Sequence, residues 1–252
     1  IHELMCRVAE AYPQALVFPL TVASKSELQS VAAAATRLLQ GMRQSGEQPR
    51  QLVDQSKSVA EELLRVSISW VERWWDGLEE AARLYEVDKD TDATVRVLLP
   101  LHQEMQGAQT PRERQFEQTY SRDLQEAQRH LNTYQQTREK QNVDNAWRVY
   151  HRIFQKLHRA KESLSREKLQ LSNMSPALAD LRKLQLAVPG TYSPDRNTED
   201  ITIVRFSARI NILSTKQKPR VIEIIGSDGR TRKYLLKGHE DLKQDERVMQ
   251  LF

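Results

Sequence analysis

Cysteine is nearly absent from this 252-residue sequence. Its single example, Cys6, has no partner for an internal disulfide. That excludes a disulfide-stapled secreted scaffold and fits a reducing, cytosolic or nuclear setting. Glycine is scarce too: eight residues are too few for the many tight turns of a large α/β domain and suit long helices. Long apolar runs are missing. The longest, ALVFPLTVA from Ala15 to Ala23, falls well short of the roughly 20 residues that span a bilayer, and it lacks the charged start and cleavage pattern of a signal peptide. The histidines (His2, His102, His130, His151, His158 and His239) are scattered without zinc-type spacing, and no local motif suggests a Ser/His/Asp set. These side chains therefore suggest no metal site. Neither of the glycine-rich phosphate-loop patterns, GxGxxG and GxxxxGK followed by Ser or Thr, is present.

What is present is charge and periodicity. Charged residues make up 29% and hydrophobic ones 39%, the balance of a soluble globular protein rather than a disordered one. The net charge of +4 hides an asymmetry. Residues 1–150 carry 18 Lys/Arg against 22 Asp/Glu, and residues 151–252 carry 20 against 12. A basic C-terminal part attracts phosphates, but no aromatic residues interleave with the basic ones as they do in RNA-binding motifs, so nucleic acid is not implied.

Val59, Leu63, Val66, Trp70, Trp74, Leu78, Ala81 and Tyr85 recur every three or four positions and predict one long amphipathic helix. A second is expected from Asp92 to Gln106, with Val97, Leu98, Leu101 and Met105 inward and a kink at Pro100. Thr110-Pro111-Arg112-Glu113 is the clearest start signal: an N-cap hydroxyl, proline at the first helical position and a capping-box carboxylate. Phe116, Tyr120, Leu124, Ala127, Leu131 and Tyr134 then mark its buried face. A fourth helix is expected to start with Asp144 as N-cap and to bury Trp147, Tyr150, Ile153, Phe154 and Leu157. Four such helices imply an antiparallel bundle. Before it, residues 1–46 read as two helices broken by Pro13 and Pro19 and ending near GEQPR, the kind of pair that stacks in α-solenoids. From Ile201 the period becomes two, through ITIVRF, RINIL, RVIEII and RKYLL, with a hairpin signal at GSDGR and a helical pattern after Gly238. The expected fold is mainly α: a solenoid end (1–55), an antiparallel four-helix bundle (56–162), and a linker with a small α+β lobe carrying an antiparallel sheet (163–252).

Three constellations could carry chemistry. Lys237 ends a strand, and Glu240, Asp241 and Asp245 follow on a helix start. A lysine held by a helix carboxylate suits nucleotide phosphates, although acids also favour a helix N-terminus for its dipole alone. ILSTKQKPR (Ile212 to Arg220) is a polar hairpin whose hydroxyls and N–H groups could cover phosphates. Trp74 and Trp75 are adjacent and cannot share one helix face, so at least one is expected at the surface. A groove between the first and last bundle helices, lined by Trp74, Leu78, Trp147 and Phe154, could take an apolar ligand or a partner helix.

These segments, in this order, resemble the target of rapamycin (TOR) protein kinases within the phosphatidylinositol-3-kinase-related kinases. PQALVFPLTVASKS (Pro13 to Ser26) is similar to the end of their helical FAT domain. WVERWWDGLEEAARLY (Trp70 to Tyr85), YSRDLQEAQ (Tyr120 to Gln128) and AWRVYHRIF (Ala146 to Phe154) resemble the rapamycin-binding bundle. LAVPGTYSP (Leu186 to Pro194) and KGHEDLKQDERVMQLF (Lys237 to Phe252) resemble the opening of the kinase domain, the N-lobe.

The resemblance implies a serine/threonine kinase using Mg-ATP in nutrient-responsive growth control. Its bundle would gate the active site and recruit substrates. Lys237 matches the ATP-phosphate lysine, Glu240 and Asp245 match acids on the following helix, and Thr215 with Lys216 falls in the phosphate-covering loop. In the groove, Trp74, Leu78, Trp147 and Phe154 match apolar walls. Ala82 replaces a small hydroxylated residue, Glu86 an aromatic and His151 a ring, while Asp144 and Arg148 are charged departures. Partners implied are TOR-complex subunits, protein substrates and, weakly, an immunophilin–rapamycin complex, in a dimeric, cytoplasmic assembly with peripheral endomembrane association. No catalytic-loop Asp with its Asn and no DFG-type metal aspartate occurs in these residues. The chain is therefore expected to be a kinase fragment that is inactive alone, with its metal ligands elsewhere. The rival reading is a non-enzymatic helical module that binds a partner helix or an apolar ligand.

Overall fold

A computed structural model describes residues 2–104, 107–164, 169–194, 199–215 and 218–238. The chain forms two compact units. One comprises Ile1–Ser67, Gln170–Leu213 and Pro219–Gly238, the other Ile68–Leu169, Ser214–Lys218 and His239–Phe252.

The first unit opens with α1 (His2–Ala11), α2 (Pro13–Ala23), α3 (Gln29–Ser45) and α4 (Glu47–Ser67). Pro13 takes the first turn of α2, where a missing N–H costs nothing. Pro19 does not break the chain as expected; it lies inside α2. The helix continues through it because Val17, Leu20 and Thr21 are buried on either side, and tertiary packing outweighs one lost backbone bond. The turn between α3 and α4 is Gly46 alone, so two long helices pack side by side through Leu38 and Met42 on one and Leu52, Val53 and Val59 on the other. A buried hydroxyl pair, Thr21 Oγ1 and Ser56 Oγ at 2.8 Å, ties α2 to α4.

Helix α4 also holds the later part of this unit. Its Glu62 accepts a hydrogen bond from Ser175 Oγ at 2.6 Å, and that same oxygen caps a short helix (Pro176–Asp180) by accepting from Leu178 N. Gln55 Oε1 accepts from Gln185 N at 2.8 Å. From α2, Gln14 donates to Gln185 O at 2.6 Å and accepts from Ala187 N at 3.0 Å.

Strands β1 (Leu169–Gln170), β2 (Ile203–Phe206), β3 (Arg209–Ile212), β4 (Arg220–Gly226) and β5 (Thr231–Leu236) make a five-stranded sheet. The last four are the runs of period two read from the sequence. β4 is central, with antiparallel pairing to β2 and β3 in succession and to β5. The GSDGR hairpin forms as expected: Gly229 adopts a φ of +75°, which glycine tolerates best, and Asp228 accepts from Arg230 N at 3.1 Å. Arg220 begins β4 with its side chain buried, and its guanidinium donates to the carbonyl of Ser67, the last residue of α4.

The second unit is the antiparallel bundle: α5 (Trp70–Ala82) with a π-helical turn (Arg83–Val87), α6 (Thr91–Glu104), α7 (Pro111–Thr137) and α8 (Lys140–Leu164). The single helix expected across Val59–Tyr85 is in fact two, α4 and α5. The break needs no proline. Ser69 caps α5 by accepting from Glu72 N, while Glu72 accepts from Ser69 N at 2.8 Å; this reciprocal box satisfies orphan donors and starts a new helix. The Thr110/Glu113 box and the buried face of α7 are as read. α8 begins at Lys140, four residues before the expected cap, and Asp144 lies within it, engaged by Tyr85 instead. In α6, Pro100 is exposed inside the helix, and the buried residues are Thr94, Val95, Leu98 and His102. Val97 and Leu101 are partly buried, and Met105 lies outside the described residues.

His102 was not anticipated in the core. Its Nε2 lies 2.6 Å from Tyr150 Oη, and its ring stands edge-on to Trp74 with 4.9 Å between centroids. Burial pushes its pKa down to about 4. Between that value and the ordinary pKa near 6.5, the unfolded chain takes up a proton that the folded bundle refuses. The neutral histidine thus supports folding fully above about pH 6.5, and that support is lost as pH falls toward 4, by about 3 kcal/mol at most. We expect His102→Gln to flatten the pH dependence of bundle stability over this window in urea titrations; an unchanged slope would remove His102 as its source. We expect Arg220→Met to lower the unfolding free energy of the first unit by about 1–3 kcal/mol, the cost of stranding a buried acceptor. An unmoved midpoint would show that the Arg220–Ser67 bond contributes nothing.

Candidate functional site

Strand register builds the first candidate. Leu235 of β5 faces Val221 of β4, which faces Asn211 of β3. Leu213 N donates to Pro219 O, continuing that ladder two residues on. Side chains alternate along strands, so Leu213, Val221, Lys233 and Leu235 share one face, and Lys237, the next residue in the period, extends it. The opposite face carries Ile222 and Ile224, both buried in the core. Leu213 and Leu235 are 39% and 49% exposed, so apolar side chains sit beside lysines on an open face. Sequence reasoning missed both leucines, which the register of β3, β4 and β5 brings onto one face. Thr215 is exposed in the β3–β4 connection, where its carbonyl accepts from Lys218 N at 3.1 Å. Lys216, Glu240 and Asp245, with the helix expected after Gly238, lie outside the described residues.

The second candidate is the α5–α8 face of the bundle. Trp74 and Leu78 are each 1% exposed and belong to the core beneath it. Of the tryptophan pair, it is Trp75 that comes to the surface, stacked on Phe154 with centroids 4.2 Å apart and planes 16° apart. Lys161 Nζ lies 4.9 Å from the Trp75 ring centroid and 3.3 Å from Asp76. Ala82, Trp147 and Phe154 are partly buried, and His151 is exposed, its Nε2 3.2 Å from Gln155 Nε2.

At the other end, the π-turn aims consecutive residues at α8. In it the Asp88 N–H reaches back five residues to Arg83 O, one residue more per turn than an α-helix allows. Tyr85 then lies against Trp147, centroids 4.9 Å apart, and its hydroxyl donates to Asp144 Oδ1 at 2.5 Å. Glu86 accepts from the Trp147 indole N–H at 3.3 Å. Burial, then the hydrogen bond and charge of Asp144, push the Tyr85 pKa up to about 12. The groove is thus aromatic at its walls and anionic at one end. Among the described residues, no cluster of three or more His, Cys, Asp or Glu could hold a metal ion, and no helix is long and apolar enough to cross a membrane.

The chain is similar to several known proteins. Residues 62–159 match the family described as the FKBP12-rapamycin binding domain. The whole chain is 43% identical over 253 residues to Serine/threonine-protein kinase mTor of Drosophila melanogaster, covering 10% of that protein. It is 42% identical over 254 residues to Serine/threonine-protein kinase TOR of Oryza sativa subsp. japonica, again covering 10%. Against Serine/threonine-protein kinase TOR2 of Saccharomyces cerevisiae, 99% of the chain aligns at 38% identity, covering 10% of that protein. The chain spans about a tenth of the length of the curated relatives it matches. The capped bundle thus belongs to the FKBP12-rapamycin binding domain family, and the chain along its full length is similar to a segment of the TOR serine/threonine protein kinases.

Proposed function

We propose that the intact protein is a serine/threonine kinase that transfers the γ-phosphate of Mg-ATP to protein hydroxyls in nutrient-responsive growth control, within a multisubunit complex. The observation that carries this reading is the open sheet face that sets Leu213, Val221 and Leu235 beside Lys237. An apolar patch next to a lysine fits a nucleotide: the base lies on the leucines, and the ammonium meets the α/β-phosphates as a point charge. Thr215 and Lys216 of the β3–β4 connection would cover the phosphates, and Glu240 and Asp245 would hold Lys237. Magnesium would supply charge neutralisation of the phosphates, its ligands coming from outside these 252 residues. By themselves these residues would transfer no phosphate, since they contain no catalytic-loop Asp/Asn pair and no DFG-type aspartate.

The bundle's proposed role is to restrict access to the active site and to recruit substrates along the α5–α8 groove, where Trp75, Phe154 and Trp147 offer aromatic surface. The same groove would receive an FKBP12–rapamycin complex, but weakly. Glu86 is a carboxylate on the groove wall, bonded to the Trp147 indole, and covering it with an apolar macrolide strips water from a charge.

Two measurements test these readings. In the intact kinase, Lys237→Met should lower phosphotransfer by about two orders of magnitude or more, read as labelled phosphate incorporated into protein. Wild-type turnover by that variant would favour a purely binding role. Glu86→Phe should tighten FKBP12–rapamycin binding by about tenfold or more, equivalent to 1.4 kcal/mol, in calorimetry. Nanomolar binding by the unaltered chain would overturn the weak-binding reading.

A further inference from the structure

Arg220 opens β4 with a side chain buried to 1% exposure. Burying a guanidinium is costly unless a partner offsets the water it loses. That partner is the carbonyl of Ser67, the last residue of α4. A helix C-terminus offers unpaired carbonyls and the negative end of the dipole, so it suits a cation. Strand pairing does not require this arrangement: an apolar side chain at the start of β4 would fill the same interior with no charge to offset.

What distinguishes the position is its row in the sheet. The Arg220 backbone pairs with Ile212 of β3 and with Leu236 of β5. One residue beyond that row, Leu213 N donates to Pro219 O at 3.0 Å and closes the two ends of the β3–β4 connection. One residue beyond it on β5 is Lys237. The connection and the lysine, both proposed above to meet the nucleotide phosphates, thus leave the sheet from the row that Arg220 begins. We infer that Arg220 is a positioning residue for those phosphates, an inference that rests on the kinase reading. Anchored on Ser67, it fixes the strand ends from which Lys237 and the phosphate-covering connection depart. Its side chain shares the buried face of Ile222 and Ile224, opposite the open face of Leu235 and Lys237. It therefore acts through the backbone and not by contact with a phosphate. Small displacements matter in such a role, since misplacing a group by about 1 Å can cost about a hundredfold in rate.

Steady-state kinetics of the intact kinase, with ATP and protein substrate varied separately, test this. Arg220→Met should raise the KM for ATP by about tenfold and leave the KM for protein substrate unchanged. Arg220→Lys, which keeps a cation at the α4 carbonyl, should recover most of the loss. Ser175→Ala controls for stability alone. It removes the tether to Glu62 and the cap on Leu178 N from the same unit, in a segment outside the β3–β4–β5 pairing, and should leave the KM for ATP at its wild-type value. Should Arg220→Met not accumulate as folded protein, Arg220→Gln, which donates without charge, takes its place, with a rise of about threefold or more expected. An unmoved KM for ATP, an equal rise with Ser175→Ala, an equal rise for both substrates, or no recovery with lysine would each overturn the inference and leave the kinase reading standing. Absence of phosphotransfer by the unaltered intact protein would overturn both.

Discussion

The hydrogen bond from Arg220 to the carbonyl of Ser67 is the constraint on which the first unit turns. The last carbonyls of a helix have no intrahelical donor and carry the negative end of its dipole. The guanidinium of a buried arginine, 1% exposed, meets that need, and the helix end in turn compensates a charge that would otherwise be costly to bury. Because Arg220 is also the first residue of the central strand, paired to Ile212 on one side and Leu236 on the other, this bond fixes the end of α4 to the sheet. Glu62, Gln55 and Gln14 repeat the arrangement upstream, each offering a side chain to the backbone or hydroxyl of the later segment. Polar contacts specify geometry where apolar packing alone would permit sliding.

The bundle distributes its polar groups differently. Its core is a continuous apolar cluster in which a titratable pair, His102 and Tyr150, is placed against Trp74. Its partly buried aromatics at the α5–α8 face are tethered at their edges to carboxylates, Tyr85 to Asp144 and Trp147 to Glu86. These tethers orient the rings, so the groove is preorganised yet carries charge that a purely apolar occupant would have to desolvate.

Much of this fold was legible in the sequence because two signals there are local. The Thr110–Glu113 box and the α7 stripe are satisfied by residues within a turn of one another, and the Asp228–Gly229 turn of the β4–β5 hairpin by residues within four. Where local reading failed, a distant partner decided. Asp144 has the chemistry of an N-cap but is drawn into α8 by Tyr85, 59 positions away. Trp74 and Trp75 have equal apolar character, and only the packing of α5 against α8 selects Trp75 for the groove. The helix break at Ser69 was hidden because the apolar period runs across it without a shift, and a capping box leaves no trace in periodicity. On the sheet, Lys237 could be read from its strand, but the leucines beside it became apparent only from the register of three strands.

The π-turn at Arg83–Val87 has one more consequence. A turn closed by bonds five residues apart holds one residue in excess of an α-helix, and it is this excess that brings both Tyr85 and Glu86 to the α8 side. The identity of the groove's wall is therefore encoded in backbone phase as well as in side-chain type. Loss of one residue anywhere in that turn would restore α-helical phase and rotate the downstream positions by about 100°. The groove's ligand chemistry could in this way be exchanged by a change in chain length, with no groove residue substituted.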